Sequence, residues 1–163
     1  MRFLPIEPSL PPDERSALPA KLAKDSQTKS GVMEATAGEQ GPTRILVVED
    51  DFLIALQTEA ALTEAGFDVV GTATTAEESM ALAREQRPVL AVMDVRIASQ
   101  RDGIDAAGEL FRELGIRCIF ATAHDDRYTR ERAEPYAPLG WLAKPYTMRS
   151  LVALVMEALT KLD

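Results

Sequence analysis

A chain of 163 residues has room for one domain and a tail, not for two full domains. Its 46% hydrophobic content permits a substantial core, and a formal charge of −8 with no run of basic residues argues against a surface that tracks nucleic-acid phosphates. No apolar stretch approaches the roughly 18 to 20 residues that span a bilayer, and charges and prolines interrupt the N-terminal Met1-Arg-Phe-Leu-Pro5 before a secretory apolar core forms.

Residues 1–43 hold six of the ten prolines (Pro5, Pro8, Pro11, Pro12, Pro19, Pro42) and few large apolar side chains. Such a stretch buries too little to offset its ordering entropy and is expected to be a disordered or weakly ordered extension, serving as a linker or a docking arm. A short helix around Leu18–Lys24 is compatible with Pro19 near its start.

From Arg44 the pattern changes, and 44–163 reads as the folded domain. Ile45-Leu-Val-Val48 is a buried strand, followed by a helix from about Asp51 to Ala65 that Gly66 terminates. Val69-Val70 marks a second strand. Thr75 caps the next helix, to about Gln86, and Thr75-Ala-Glu-Glu78 has the form of a capping box. Pro88 precedes strand three, Val89–Met93. A polar loop, Val95–Asp102, leads to a helix over Gly103–Leu114, with Ile104, Ala107, Phe111 and Leu114 at helical spacing. Strand four is Arg117–Ala121. It carries the single cysteine, Cys118, which cannot form an internal disulfide and reads as a buried thiol of a reducing, cytoplasmic compartment. A short helix near Asp126–Ala133 must stop by Pro135, whose ring disfavours helix at the residue before it. Strand five, Gly140–Ala143, and a strongly apolar helix from Met148 to about Leu162 complete the chain. Leu154, Met156 and Leu159 exceed that helix's core stripe, which fits a dimer or partner interface and equally a generously buried helix.

Five strands alternating with five helices imply an α/β fold: a doubly wound, five-stranded parallel sheet covered on both faces. Ligand sites in such sheets lie beyond the carboxyl ends of the strands. Glu49-Asp50-Asp51 follows strand one, where the acids either cap the helix or await a cation. Asp94 ends strand three, Thr122 follows strand four, and Lys144-Pro145 follows strand five. Each is ordinary alone, as a loop cap or a solvated end residue. Together, at successive strand ends on one side of a sheet, they form a carboxylate cluster with a lysine counter-ion.

The runs Ile45-Leu-Val-Val-Glu-Asp-Asp51, Val92-Met-Asp-Val95, Asp102-Gly103, Thr122-Ala123 and Lys144-Pro145 resemble the receiver domains of two-component response regulators, over about Arg44 to Asp163. The resemblance implies Asp94 as phosphoacceptor, Thr122 as the family hydroxyl and Lys144 as the family lysine. Trp141 takes the aromatic switch position, and the Lys144–Pro145 bond is implied to be cis. Mg²⁺ would be held by Asp50, Asp94 and the main-chain carbonyl of Arg96, with Glu49 acting through water. That cation offsets the repulsion of a carboxylate attacking a phosphoryl group. The implied partners are a sensor histidine kinase or histidine phosphotransfer protein and a downstream protein target. No nucleic acid, membrane insertion or output domain is expected, and dimerisation would use the fourth helix, strand five and fifth helix. Phe120-Ala-Thr-Ala123 resembles a subgroup of stand-alone receivers. The loop after Asp94 lacks the family's usual proline, and Pro135 and Pro138 shorten the fourth helix. Arg96 and His124, two positions past Asp94 and Thr122, are expected to overhang the pocket and set the lifetime of the acyl phosphate.

Two other functions remain open. An aspartyl-phosphate hydrolase of the haloacid-dehalogenase type expects Asp-x-Asp, and Arg96 occupies the second position here. A degenerate receiver used only for binding would have lost site residues, and all five positions are intact.

Overall fold

The apolar runs that alternate along the chain become the strands of one parallel sheet. The computed structural model describes residues 40–163; the helix expected near Leu18–Lys24 and most of the extension lie outside the described residues. Strands β1 (Arg44–Val48), β2 (Asp68–Ala73), β3 (Leu90–Met93), β4 (Arg117–Thr122) and β5 (Gly140–Ala143) lie in the order β2-β1-β3-β4-β5, every pair parallel. Helices α1 (Phe52–Glu64), α2 (Ala76–Gln86), α3 (Gly103–Leu114), α4 (Arg127–Ala133) and α5 (Met148–Thr160) connect or follow them.

Successive strand residues face opposite sides, and both sides are covered, which is why the strands read as continuous apolar runs. Leu46, Val48, Ala91, Met93, Cys118 and Phe120 pack with residues of α2, α3 and α4. Ile45, Val47, Leu90, Val92, Ile119 and Ala121 pack with Leu62 of α1 and Leu151, Val155 and Ala158 of α5. The sheet grows in one direction from β1 to β2 and in the other from β1 to β3, so the crevice between the ends of β1 and β3 is the topological switch point.

Three local expectations are corrected. The capping box on α2 is only half formed. The Thr75 hydroxyl accepts from the Glu78 amide (3.1 Å), but the Glu78 carboxylate accepts from the amide and hydroxyl of Thr74 (2.7 and 2.9 Å) instead of from Thr75. A reciprocal box occurs on α3 instead, between Asp102 and Asp105. The helix before Pro135 does stop at Ala133 as expected, but not because its predecessor leaves the helical region: Glu134 keeps φ −50°, ψ −42°, and a 3₁₀ turn, Glu134–Tyr136, follows to Ala137 at φ +49°. Proline sits at the second position of that turn, where its missing N–H has no bond to make. Thirdly, α5 ends at Thr160, short of Leu162. Of its surplus apolar residues, Leu154 and Leu159 are half-buried against the core and Met156 alone is half-exposed, so the helix is in the main generously buried.

Candidate functional site

The site grows out of the sheet by one further step of its hydrogen-bond ladder. The Glu49 amide donates to the Ala73 carbonyl (2.9 Å), Asp94 to Val48 (3.0 Å) and Lys144 to Thr122 (3.0 Å). Three functional residues therefore leave three different strands with their backbones still fixed by the neighbouring strand. Asp51 meanwhile caps α1, accepting from the amides of Leu53 and Ile54 at 3.0 and 3.1 Å. Of the three consecutive acids, one is thereby committed to the helix and two are left to the pocket.

Glu49 and Asp94 are buried, at 5% and 7% exposure, while Asp50 is exposed; one carboxylate oxygen from each lies within 4.8 Å of the others. The Lys144 ammonium donates to Glu49 Oε2 (2.7 Å) and Asp94 Oδ2 (2.8 Å), joining residues 95 and 50 positions away. Backbone amides take the remaining oxygens: Asp51 donates to Glu49 Oε1 (3.0 Å) and Arg96 to Asp94 Oδ1 (3.3 Å). Burial pushes the Glu49 carboxyl above its ordinary value, with hydrogen bonds from Lys144 and Asp51 opposing and the Asp94 charge reinforcing the rise. Burial alone would lower the Lys144 ammonium, but its bonds to Asp94 and Glu49 prevail and hold it above the usual range. Three carboxylates face one ammonium, so the pocket carries surplus negative charge on hard oxygen donors. That donor set fits a small divalent cation such as Mg²⁺.

Thr122 is fully buried, its hydroxyl accepting from the His124 amide (3.1 Å), which leaves its own proton free to donate. His124 is half-buried and Arg96 exposed, each two residues beyond a site residue. Trp141 pairs in register with Phe120 and stacks on it, ring centroids 4.5 Å apart and planes at 21°. It is half-buried, not enclosed as a buried indole. The Lys144–Pro145 bond is cis. Cys118 is buried, its thiol pushed up to about 12 by desolvation alone, which leaves it inert.

Several supports went unread in the sequence because their partners are remote. The loop after Asp94 is tied back by the Gly103 amide to the Val95 carbonyl (2.7 Å), Ala98 to Thr74 (2.8 Å), and the Ala76 amide to the Ser99 hydroxyl (3.2 Å). Arg101 pairs with Glu109 and with Glu77 (3.1 Å). Arg132 of α4 forks onto Asp102, the α3 cap, at 2.7 and 3.2 Å. Only Asp102-Gly103 left a local signal. Its reason is now plain: a Cβ on Gly103 would stand 1.8 Å from the Asp94 carbonyl oxygen.

The model of the response regulator receiver domain matches residues 45–156. The chain belongs to that family. The receiver domain is 33% identical over 120 residues to the transcriptional regulatory protein PdtaR of Mycobacterium tuberculosis, covering 74% of this chain and 58% of that protein. It is 36% identical over 119 residues to the phyllosphere-induced regulator PhyR of Methylorubrum extorquens, covering 72% and 43%. The chain thus spans about half the length of these relatives. Among solved structures it is similar to the receiver domain of a modulated diguanylate cyclase from Desulfovibrio desulfuricans, with TM-score 0.69, 31% identity and coverage of 74% of this chain and 96% of that one. The PhyR receiver domain of Erythrobacter litoralis gives TM-score 0.66, 28% identity and coverage of 76% and 94%. Its place is in two-component signalling, whose receivers are regulators rather than classical enzymes. Among the described residues no helix is long and apolar enough to cross a membrane.

Proposed function

We propose that the receiver domain is a phosphorylation-dependent switch that accepts a phosphoryl group on Asp94. The supporting observation is the bridge of Lys144 to two buried acids from two other strands, with Asp50 beside them. The Asp94 carboxylate oxygen forms a bond to phosphorus as the bond from phosphorus to the donor's histidine nitrogen breaks, and the leaving imidazole takes up a proton. Asp50, Asp94 and the Arg96 carbonyl would hold Mg²⁺, with Glu49 behind them; the cation supplies neutralisation of the phosphoryl charge. Lys144 offsets further charge, and the Thr122 hydroxyl donates to the phosphoryl group once formed. The geometry favours this over the hydrolase reading, because Arg96 is exposed and offers no second carboxylate.

The domain, residues 44–163, works in the cytoplasm through protein contacts rather than on nucleic acid. The donor is a histidine kinase or phosphotransfer protein. The exposed Phe52, Leu53 and Leu56 of α1, directly after the acids, support an apolar protein partner there. Phe120-Ala-Thr122 favours the stand-alone subgroup. Arg96 and His124 flank the pocket and slow attacking water, so Arg96→Ala and His124→Ala are expected to hydrolyse the acyl phosphate faster; unchanged rates would remove that role. The whole reading is tested by incubating the protein with acetyl phosphate and Mg²⁺ and measuring intact mass. One phosphoryl adduct, lost on chelation and in Asp94→Asn, is expected. An adduct on Asp94→Asn, or none on the wild type, would overturn it.

A further inference from the structure

The loop from Val95 to Asp102 has no regular structure, yet it is fastened along its length. Its first part is anchored by apolar burial, with Val95 and Ile97 in the core that α2, α3 and α4 cover. Its second part is anchored by polar contacts to the turn between β2 and α2. Ala98 is exposed, but its amide donates to the Thr74 carbonyl (2.8 Å). An amide used in this way excludes proline from position 98. Ser99 makes two bonds at once. Its hydroxyl accepts from the Ala76 amide (3.2 Å), the first of α2 and one that the helix itself leaves unpaired, and donates to the Arg101 carbonyl (2.7 Å). Arg101 in turn pairs with Glu77 of α2 and Glu109 of α3.

The same loop borders the acid pocket. The Arg96 amide donates to Asp94 Oδ1 (3.3 Å), and the Gly103 amide to the Val95 carbonyl (2.7 Å). The Arg96 side chain is exposed and buries nothing that would hold its own peptide in place. That peptide is steadied instead by its neighbours, Ile97 in the core and Ala98 and Ser99 on the β2–α2 turn. We propose that Ser99 is a positioning residue for the cation: by pinning the loop to the start of α2 it keeps the Arg96 carbonyl in place for the ion that Asp50 and Asp94 hold, and so favours a small ion over a large one. Mg²⁺ demands near-ideal octahedral geometry, whereas Ca²⁺ accepts irregular and flexible sites, so a rigid donor discriminates between them. The inference rests on the cation site proposed above. Ser99 acts through the backbone and not on the phosphoryl group.

The experiment uses the full chain and Mn²⁺, whose free concentration is read by electron paramagnetic resonance, with Mg²⁺ and Ca²⁺ as competitors. Asp50→Asn marks the site and should bind Mn²⁺ about tenfold more weakly than wild type. Ser99→Ala should weaken Mg²⁺ about tenfold and Ca²⁺ by less than about threefold, so that the preference for Mg²⁺ falls. Ser99→Thr, which keeps the hydroxyl, should stay within about twofold of wild type for both ions. In cation-free protein the Ala98 amide should exchange with deuterium at least about tenfold faster in Ser99→Ala, which reads the loop apart from any ion. Arg84→Ala cuts a different tie between α2 and α3, to Glu113 (2.6 Å), and should leave both readouts alone. Arg101→Met loosens the same loop from its other end and carries the test if Ser99→Ala does not fold. If Asp50→Asn weakens binding and Ser99→Ala keeps the wild-type preference for Mg²⁺, or if Arg84→Ala shifts that preference equally, the positioning role is wrong and the cation site stands. If the wild type takes up no Mn²⁺, or Asp50→Asn binds it equally well, the cation site fails and the role of Ser99 falls with it.

Discussion

Gly103→Ala sets two effects of opposite sign against each other. Alanine is a better helix former than glycine by about 1 kcal/mol and restricts the unfolded chain, which favours the variant by a further fraction of a kcal/mol. Against this, the new methyl carbon would stand 1.8 Å from the Asp94 carbonyl oxygen, 2.8 Å from its carbon and 2.9 Å from Val95 Cα. Ordinary C···O contacts begin near about 3.3 Å, so the overlap is about 1.5 Å. All three obstructing atoms are backbone, so no rotamer change relieves the clash and the loop or α3 itself must move. Overpacking of this kind costs about 1–3 kcal/mol, and the rigid partner places it at the upper end. The net expectation is a loss of about 2 kcal/mol, read as a lower urea midpoint with unchanged slope. Because the displaced atom belongs to Asp94, phosphorylation by acetyl phosphate should also slow by about tenfold or more. Gly115→Ala is the control: nothing crowds its Cβ, but φ is +67°, so it should cost about 1 kcal/mol and leave phosphorylation alone. A Gly103→Ala protein as stable as wild type would refute the close-packing argument.

Lys144→Met should lower phosphorylation by about 10²-fold or more, because the transition-state charge loses its fixed cation, while Mg²⁺ binds no more weakly than in wild type. Asp50→Asn should weaken Mg²⁺ binding by about tenfold, followed through Trp141 emission, with little loss of stability because Asp50 is exposed. Burial pushes the Asp102 carboxyl up, but hydrogen bonds from Arg132 and from the Asp105 and Ile104 amides prevail and hold it below its usual range. A depressed folded value means that the associated stability is present above the unfolded value of about 3.9 and is lost as pH falls through the folded one. Arg132→Ala should therefore cost about 1 kcal/mol at neutral pH, discounted for a pair that is a third exposed, and nothing once Asp102 is protonated in acid. A pH-independent difference would contradict this.

The strand ends were legible because parallel strands buried on both faces are written as unbroken apolar runs, and a charged residue at the end of such a run stands out. Glu49, Asp50, Asp94, Thr122 and Lys144 could be grouped because each stands at or just past a strand end on one side of a parallel sheet, while the order β2-β1-β3-β4-β5 that brings those ends together is seen only in the structure. Details requiring a side chain's direction were not legible. The Glu78 carboxylate reached Thr74, one residue from the expected partner, and the box on α3 escaped notice because aspartate stands where glutamate is usual. The arginines that stabilise the loops, Arg101, Arg130 and Arg132, look like solvated charges until their partners, up to 30 positions away, are in place. Trp141 announced itself by position, but its stacking and its cover by Arg130 depend on which face of β5 meets α4.

The central claim is that one carboxylate, that of Asp94, becomes an acyl phosphate. Borohydride reduces an acyl phosphate to the alcohol, so treating the phosphorylated protein and sequencing its peptides by mass spectrometry locates the acceptor. Homoserine at position 94, dependent on Mg²⁺ and on Lys144, is the predicted result. Homoserine at position 50 or another aspartate, the corresponding longer alcohol at a glutamate, or none where intact mass records a phosphoryl group, would contradict the account.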